Sequence, residues 1–144
     1  MEDLFHLGVK ALIRNEKGDI LLLKVNPREL KGFNGVVYWD IPGGRIQKGS
    51  TIEETLKREV EEETSIKDIK NIKPFDMVLS NIRIPRENGD VGLILSIHTC
   101  NIGASTDLRL SEEHTEAKWF TPLEASKLLE FKYPKQFTNK IKTL

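Results

Sequence analysis

Residues 44–66 read GRIQKGSTIEETLKREVEEETSI, and the order of acidic and aliphatic residues in this stretch decides the fold. Between 50 and 63 there is neither Gly nor Pro, and Ile52, Leu56 and Val60 recur every four residues, as on one stripe of an α-helix. Ser50-Thr51-Ile52-Glu53 fits a capping box with Ser50 as the N-cap, so the start of the helix is signalled too. At about 100° per residue, Glu59, Glu62 and Glu63 share one arc while Glu61 points the other way. Glu63 falls between Ile52 and Leu56 on the helical wheel, with Glu59 beside them. These carboxylates therefore overlap the stripe that faces the protein. Like charges four residues apart cost an isolated helix roughly 0.2–0.5 kcal/mol, and partial burial raises that penalty. A cation offsets it, and hard carboxylate oxygens without a His or Cys cluster favour Mg²⁺, Mn²⁺ or Ca²⁺ over zinc.

Working outward, residues 8–14 and 19–24 are β-rich runs flanking the turn Asn15-Glu16-Lys17-Gly18, which reads as a hairpin. Residues 25–35 mix Asn, Pro, Gly and charge and read as a surface loop; strand character resumes over 36–41 until Pro42-Gly43-Gly44 breaks it. Beyond the helix, residues 75–84 and 91–102 read as strands joined across the turn residues 86–90, and 116–120 as a further strand. Thr121-Pro122-Leu123-Glu124 opens a second helix, with Pro at its first position. The expectation is a mixed sheet with about two helices, in one domain over 1–144.

Lys plus Arg number 22 and Asp plus Glu also 22, so no overall field draws the chain towards nucleic acid or anionic lipid, and attraction to phosphate must be local. The longest uniformly aliphatic run, 20–23, is too short to span a bilayer, and the single Cys100 has no disulfide partner in the chain. A cytoplasmic protein without nucleic-acid or membrane partners is expected.

The stretch 44–66 resembles the box of the Nudix (MutT-like) hydrolase family. Gly44, Arg58, Glu59, Val60, Glu62, Glu63 and Ile66 stand at the spacing of that pattern. Trp39-Asp40-Ile41-Pro42-Gly43-Gly44 is similar to the family's approach to the box, and Glu113-His114-Thr115-Glu116 with Trp119-Phe120 to its later acidic segment. The resemblance implies an α/β fold, an α/β/α sandwich around a mixed sheet. It also implies Mg²⁺-dependent hydrolysis of a diphosphate bond in a nucleotide-type substrate, with Mn²⁺ as a substitute, by a monomer or homodimer. Glu59 and Glu63 would be the principal metal ligands, Glu62 a further or water-mediated one and the Gly43 carbonyl another donor. Arg58 would orient Glu59, and Glu113, or after it Glu116, would supply a base or an extra ligand.

Two positions depart from the family pattern. Ser50 stands where the box has Glu and Ser65 where it has Gly. The resemblance implies that the missing Glu would help hold Arg58; Glu54, one helical turn before Arg58, is expected to take that part. Ser65 is expected to occupy a left-handed exit from the helix at a cost of roughly 1 kcal/mol. The residue before Ser50 is Gly49 and no Lys follows it, so residues 44–50 are not a phosphate-binding P-loop. His6, His98 and His114 have no metal-like spacing and read as surface or packed residues. Trp39 and Trp119 read as core, and Tyr38 and Phe33 as core or as platforms for a nucleobase. Family markers for ADP-ribose and for dinucleoside polyphosphates are lacking at Asn81 and at 82–84, which leaves a nucleoside triphosphate as the first expectation and nucleotide sugars as the second. The competing class is a Nudix-like module that binds or senses a nucleotide without turning it over.

Overall fold

The computed structural model describes residues 1–29, 36–103 and 107–144, so Phe33 and most of the 25–35 loop lie outside the described residues. Strands β1 (Phe5–Arg14) and β2 (Ile20–Val25) form the expected hairpin, with Gly18 at φ 82 in its turn. They are followed by β3 (Trp39–Asp40), β4 (Gly43–Arg45), α1 (Ile52–Thr64), β5 (Lys70–Leu79), β6 (Ile84–Arg86), β7 (Gly89–Asn101), β8 (His114–Phe120), α2 (Pro122–Leu128) and α3 (Lys135–Ile141). The strands run in the order β3-β2-β1-β7-β5, with β4 paired to β1, β6 to β7 and β8 to β2. β1 and β7 are parallel from Phe5 opposite Gly92 to Arg14 opposite Asn101, whereas the other pairs are antiparallel, so the sheet is mixed.

Alternation along β1 and β2 explains the layers. Val9, Ala11, Ile13, Leu21 and Leu23 face α1 and pack on Leu56 and Val60. Leu12, Ile20 and Leu22 point the other way, onto Ala125, Leu129, Tyr133, Phe137 and Ile141 of the α2–α3 layer. The sheet is thus sandwiched between α1 and the α2–α3 pair, as an α/β/α architecture requires, and each fully buried aliphatic side chain contributes about 1.5–3 kcal/mol. Lys10 lies between Val9 and Ala11 in β1, and the same alternation carries it to the α2–α3 side.

Several boundaries differ from the sequence expectation. Only Trp39 and Asp40 of 36–41 are strand, because Val36 and Val37 are exposed and pair with nothing that a strand would need. Thr51, not Ser50, caps α1: its hydroxyl accepts from the Glu54 N–H at 3.1 Å, and Ile52 is 38% exposed, outside the buried stripe. The span 75–84 divides into β5 and β6, both on β7. The break is held by Asn81, whose N–H donates to the Lys132 carbonyl at 2.8 Å and whose amide donates to the Tyr133 carbonyl at 2.9 Å. α3 is an addition to the expected helices; it follows Pro134 and is anchored by only Phe137 and Ile141, too short a pattern to register as periodic. The opening of α2 is as expected, with a reciprocal Thr121/Glu124 capping box and Pro122 in the first turn.

Candidate active site

β4 brings the Gly43-Gly44 backbone against both β1 and α1. Gly43 has φ 152, and a Cβ there would run into the Val9 carbonyl; a Cβ on Gly44 would overlap the Glu59 carboxylate. The freed space lets the Gly43 N–H donate to Glu63 Oε1 at 2.7 Å. The loop is therefore hydrogen bonded to the last turn of the acidic helix.

Glu63 is 4% exposed. Burial pushes its carboxyl up to about 8, against the pull of Lys10 and the Gly43 N–H, with Glu113 adding to the rise. Glu59 is half-buried, and burial followed by the neighbouring Glu62 raises its pKa while Arg58 works the other way. Glu62 is exposed, as is Glu61. Arg58 Nη2 lies 3.6 Å from Glu59 Oε1 and its Nε lies 4.0 Å from Glu62 Oε1. Among the described residues no ion pair joins Glu54 to Arg58, so the expected substitution of Glu54 for the missing box Glu is not made. The guanidinium leans instead on the two carboxylates that follow it.

Glu113 reaches the same place from the turn before β8, which Asn26 secures: the Asn26 N–H donates to the Glu113 carbonyl and its amide to the Glu112 carbonyl, both at 2.8 Å. The next residue, His114, was not expected at the site. Its side chain is 7% exposed, and Nδ1 lies 3.5 Å from Glu63 Oε2 without making a hydrogen bond. Burial, and then Lys10, push its pKa down to about 4, so the ring is uncharged at neutral pH. Glu116, the second expected base, is occupied at the surface by Lys118 at 2.8 Å and Lys24 at 3.8 Å.

A pocket of about 390 Å³ opens over these groups, within the range of small-molecule sites. Glu59 and Glu113 share its lining with Lys10, Arg45 and Lys132 and with the backbone of Gly43 and Gly44. The two lysines are held by a residue that sequence reading did not single out. Asp40 is buried at the end of β3; its Oδ2 accepts from Lys10 Nζ at 3.1 Å and Lys132 Nζ at 2.6 Å, and its Oδ1 from the Ile41 N–H at 2.8 Å and the Tyr133 hydroxyl. Burial alone would raise the Asp40 pKa, but Lys10 and Lys132 overcome it and hold the carboxyl well below the usual range. Only the β1 alternation hinted at Lys10 facing inward, and nothing in the spacing linked Lys132 to it.

The donor set fits a divalent cation. Glu63, Glu113 and His114 each present a ligand atom within 4.8 Å of the others and could hold a metal ion. No described helix is long and apolar enough to cross a membrane.

A mixed sheet between two helical layers, with an acidic helix docked on a Gly-Gly loop, is the architecture of the Nudix class of proteins. Residues 4–140 match the NUDIX domain, and the chain belongs to the NUDIX hydrolase family. It is 28% identical over 105 residues to the bis(5'-nucleosyl)-tetraphosphatase (asymmetrical) of Mus musculus, covering 72% of this chain and 69% of that one. It is 42% identical over 56 residues to the 8-oxo-dGTP diphosphatase of Haemophilus influenzae, a match that spans 39% of this chain and only 38% of that relative's length. Among solved structures, the MutT protein from Methanosarcina mazei Go1 is similar at a TM-score of 0.69 and 29% identity, over 99% of this chain and 94% of that one.

Proposed function

We propose that the chain hydrolyses a diphosphate bond in a nucleoside diphosphate derivative, a nucleoside triphosphate first among them, and releases a nucleoside monophosphate, with Mg²⁺ as cofactor and Mn²⁺ as a substitute. The observation that carries this reading is one pocket lined by Glu59 and Glu113 and also by Lys10, Arg45 and Lys132. Carboxylates suit a cation and the cationic groups suit phosphate oxygens, so both halves of a metal–diphosphate are provided for. Glu59, Glu62, Glu63 and the Gly43 carbonyl would hold the ion. When bound, it screens the phosphate oxygens and makes water more acidic. Arg58 orients Glu59. Lys10 and Lys132, already fixed by Asp40 and Tyr133, receive phosphate oxygens without reorganising. Water attacks one phosphorus, the bridging P–O bond breaks, and Glu113 takes the proton that the water gives up. Two relatives named for nucleoside polyphosphates support the substrate class. The buried free Cys100, its thiol pushed up to about 12 by burial, supports a reducing, cytoplasmic setting.

The test is a panel of nucleoside triphosphates, oxidised and ordinary, dinucleoside polyphosphates and nucleotide sugars, assayed with Mg²⁺ and with both products identified. Metal-dependent release of a nucleoside monophosphate is expected. The second reading, a nucleotide-binding module, is favoured by Ser50 in place of the box Glu. Calorimetric binding of a nucleotide that is never turned over would establish it.

A further inference from the structure

We infer that His114 is itself a ligand of the divalent ion, so that the site is a mixed carboxylate and imidazole set that selects a first-row transition cation such as Mn²⁺ or Co²⁺ over Mg²⁺. The inference rests on the metal-dependent reading above and revises its ranking of the ions, placing a transition cation ahead of Mg²⁺.

The geometry carries it. His114 Nδ1 is fully inaccessible and has no hydrogen-bond partner. Leaving a buried polar atom unsatisfied costs about 1–3 kcal/mol, so such an atom calls for a physical reason. A hydrogen bond to Glu63 is the first alternative, but at 3.5 Å it is not formed. As it stands, the contact between Nδ1 and the Glu63 oxygen satisfies neither atom. A cation shared between the two turns that contact into an attractive one, and Glu113 Oε lies within the same 4.8 Å cluster.

The ring is also held ready. His114 opens β8, is paired with Val25 just past a bulge in the β2–β8 ladder, and follows directly on Glu113, whose carbonyl is tied to Asn26. The other two histidines are engaged elsewhere: His6 Nε2 with Arg86 Nη2 at 2.8 Å and His98 Nε2 with Ser96 Oγ at 3.0 Å. Imidazole nitrogen binds transition cations far better than it binds Mg²⁺, whose preference is for oxygen and water.

The test uses the full chain loaded with Mn²⁺ and pulsed electron paramagnetic resonance, which detects a directly bonded nitrogen. In wild type a ¹⁴N coupling is expected, and it should change to ¹⁵N when the protein carries ¹⁵N-histidine. In His114→Gln it should vanish while Mn²⁺ still binds, weakened roughly tenfold or more, with Mg²⁺ affinity much less affected. The double variant His6→Gln/His98→Gln should keep the coupling, which secures the assignment even where His114→Gln does not fold. Mn²⁺ bound without histidine coupling, or coupling that survives in His114→Gln, overturns the inference and leaves the carboxylate site standing. Failure of wild type to bind Mn²⁺ or Mg²⁺ at all overturns both.

Discussion

Lys132 donates to Asp40 Oδ2 at 2.6 Å from 92 positions further along the chain, and Lys10 reaches the same oxygen at 3.1 Å. The pair of cations in the pocket is thus positioned by one carboxylate that does not line it. Asp40→Asn removes the one carboxylate that both buried ammonium groups share as a partner. A loss of about 3–5 kcal/mol in urea unfolding at pH 7 is expected, with a fall in phosphate affinity that exceeds any change in metal affinity. A variant as stable as wild type would show that the lysines find other partners.

The same carboxyl sets an acid limit. Its folded-state pKa is depressed, so its contribution is present above the unfolded value of about 4 and is lost as pH falls through that value towards the folded one. The stability gap between wild type and Asp40→Asn should therefore be constant from neutral pH down to about 5 and narrow below 4. Acid titrations of the two proteins, followed by circular dichroism, check this.

Glu63 behaves in the opposite sense. Burial raises its carboxyl from 4.5 to about 8 in the metal-free protein, so the folded state prefers the protonated form. The cost is absent below pH 4.5, grows as pH rises through that window, and is complete above 8. Glu63→Gln should be more stable than wild type in EDTA at pH 8, by about 1–3 kcal/mol, equal to it near pH 4.5, and without turnover at limiting Mg²⁺. Wild-type activity in that variant would sink its assignment as a ligand.

At the start of α1 the cap is Thr51. Thr51→Ala should lower stability by about 1 kcal/mol, whereas Ser50→Ala should be nearly neutral. Glu54→Gln should leave the maximal rate unchanged, since Arg58 faces Glu59 and Glu62. Thermal unfolding and steady-state rates of the three variants separate these roles.

At the other end, Ser65 exits the helix at φ 69, ψ 11, in the left-handed region, while its N–H donates to the Glu61 carbonyl at 2.8 Å. Ser65→Gly removes the Cβ penalty and should raise stability by about 0.5–1 kcal/mol, measured as a shift in the urea midpoint with activity retained.

The acidic helix could be read from sequence because its information is local: a fixed period and carboxylates placed on the wheel by their own spacing, although the cap falls at Thr51, one residue after the expected Ser50. The α2 opening was legible for the same reason. The Glu63–Gly43 bond follows once helix and loop are known to dock. What could not be read joins residues with no common period. His114 comes to Glu63 through the pairing of β8 with β2, and Lys132 to Asp40 through a segment that Asn81 and Ser80 hold by its backbone. Such contacts are set by topology, and single residues of ordinary type carry no mark of them. Ile52 shows the converse, since it fits the apolar period yet stands exposed as the first residue of α1.

The contact between the Gly44 backbone and the Glu59 carboxylate also governs how this chain can change. Any side chain at 44 must push aside the end of the Glu59 side chain, so what stands at 44 decides where that carboxylate can lie. Gly44→Ala meets only a side chain that can swing away, whereas a methyl at Gly43 meets the Val9 carbonyl and the Lys10 backbone. The two adjacent glycines thus set unequal demands: one guards the course of the backbone and the other the resting place of a single carboxylate.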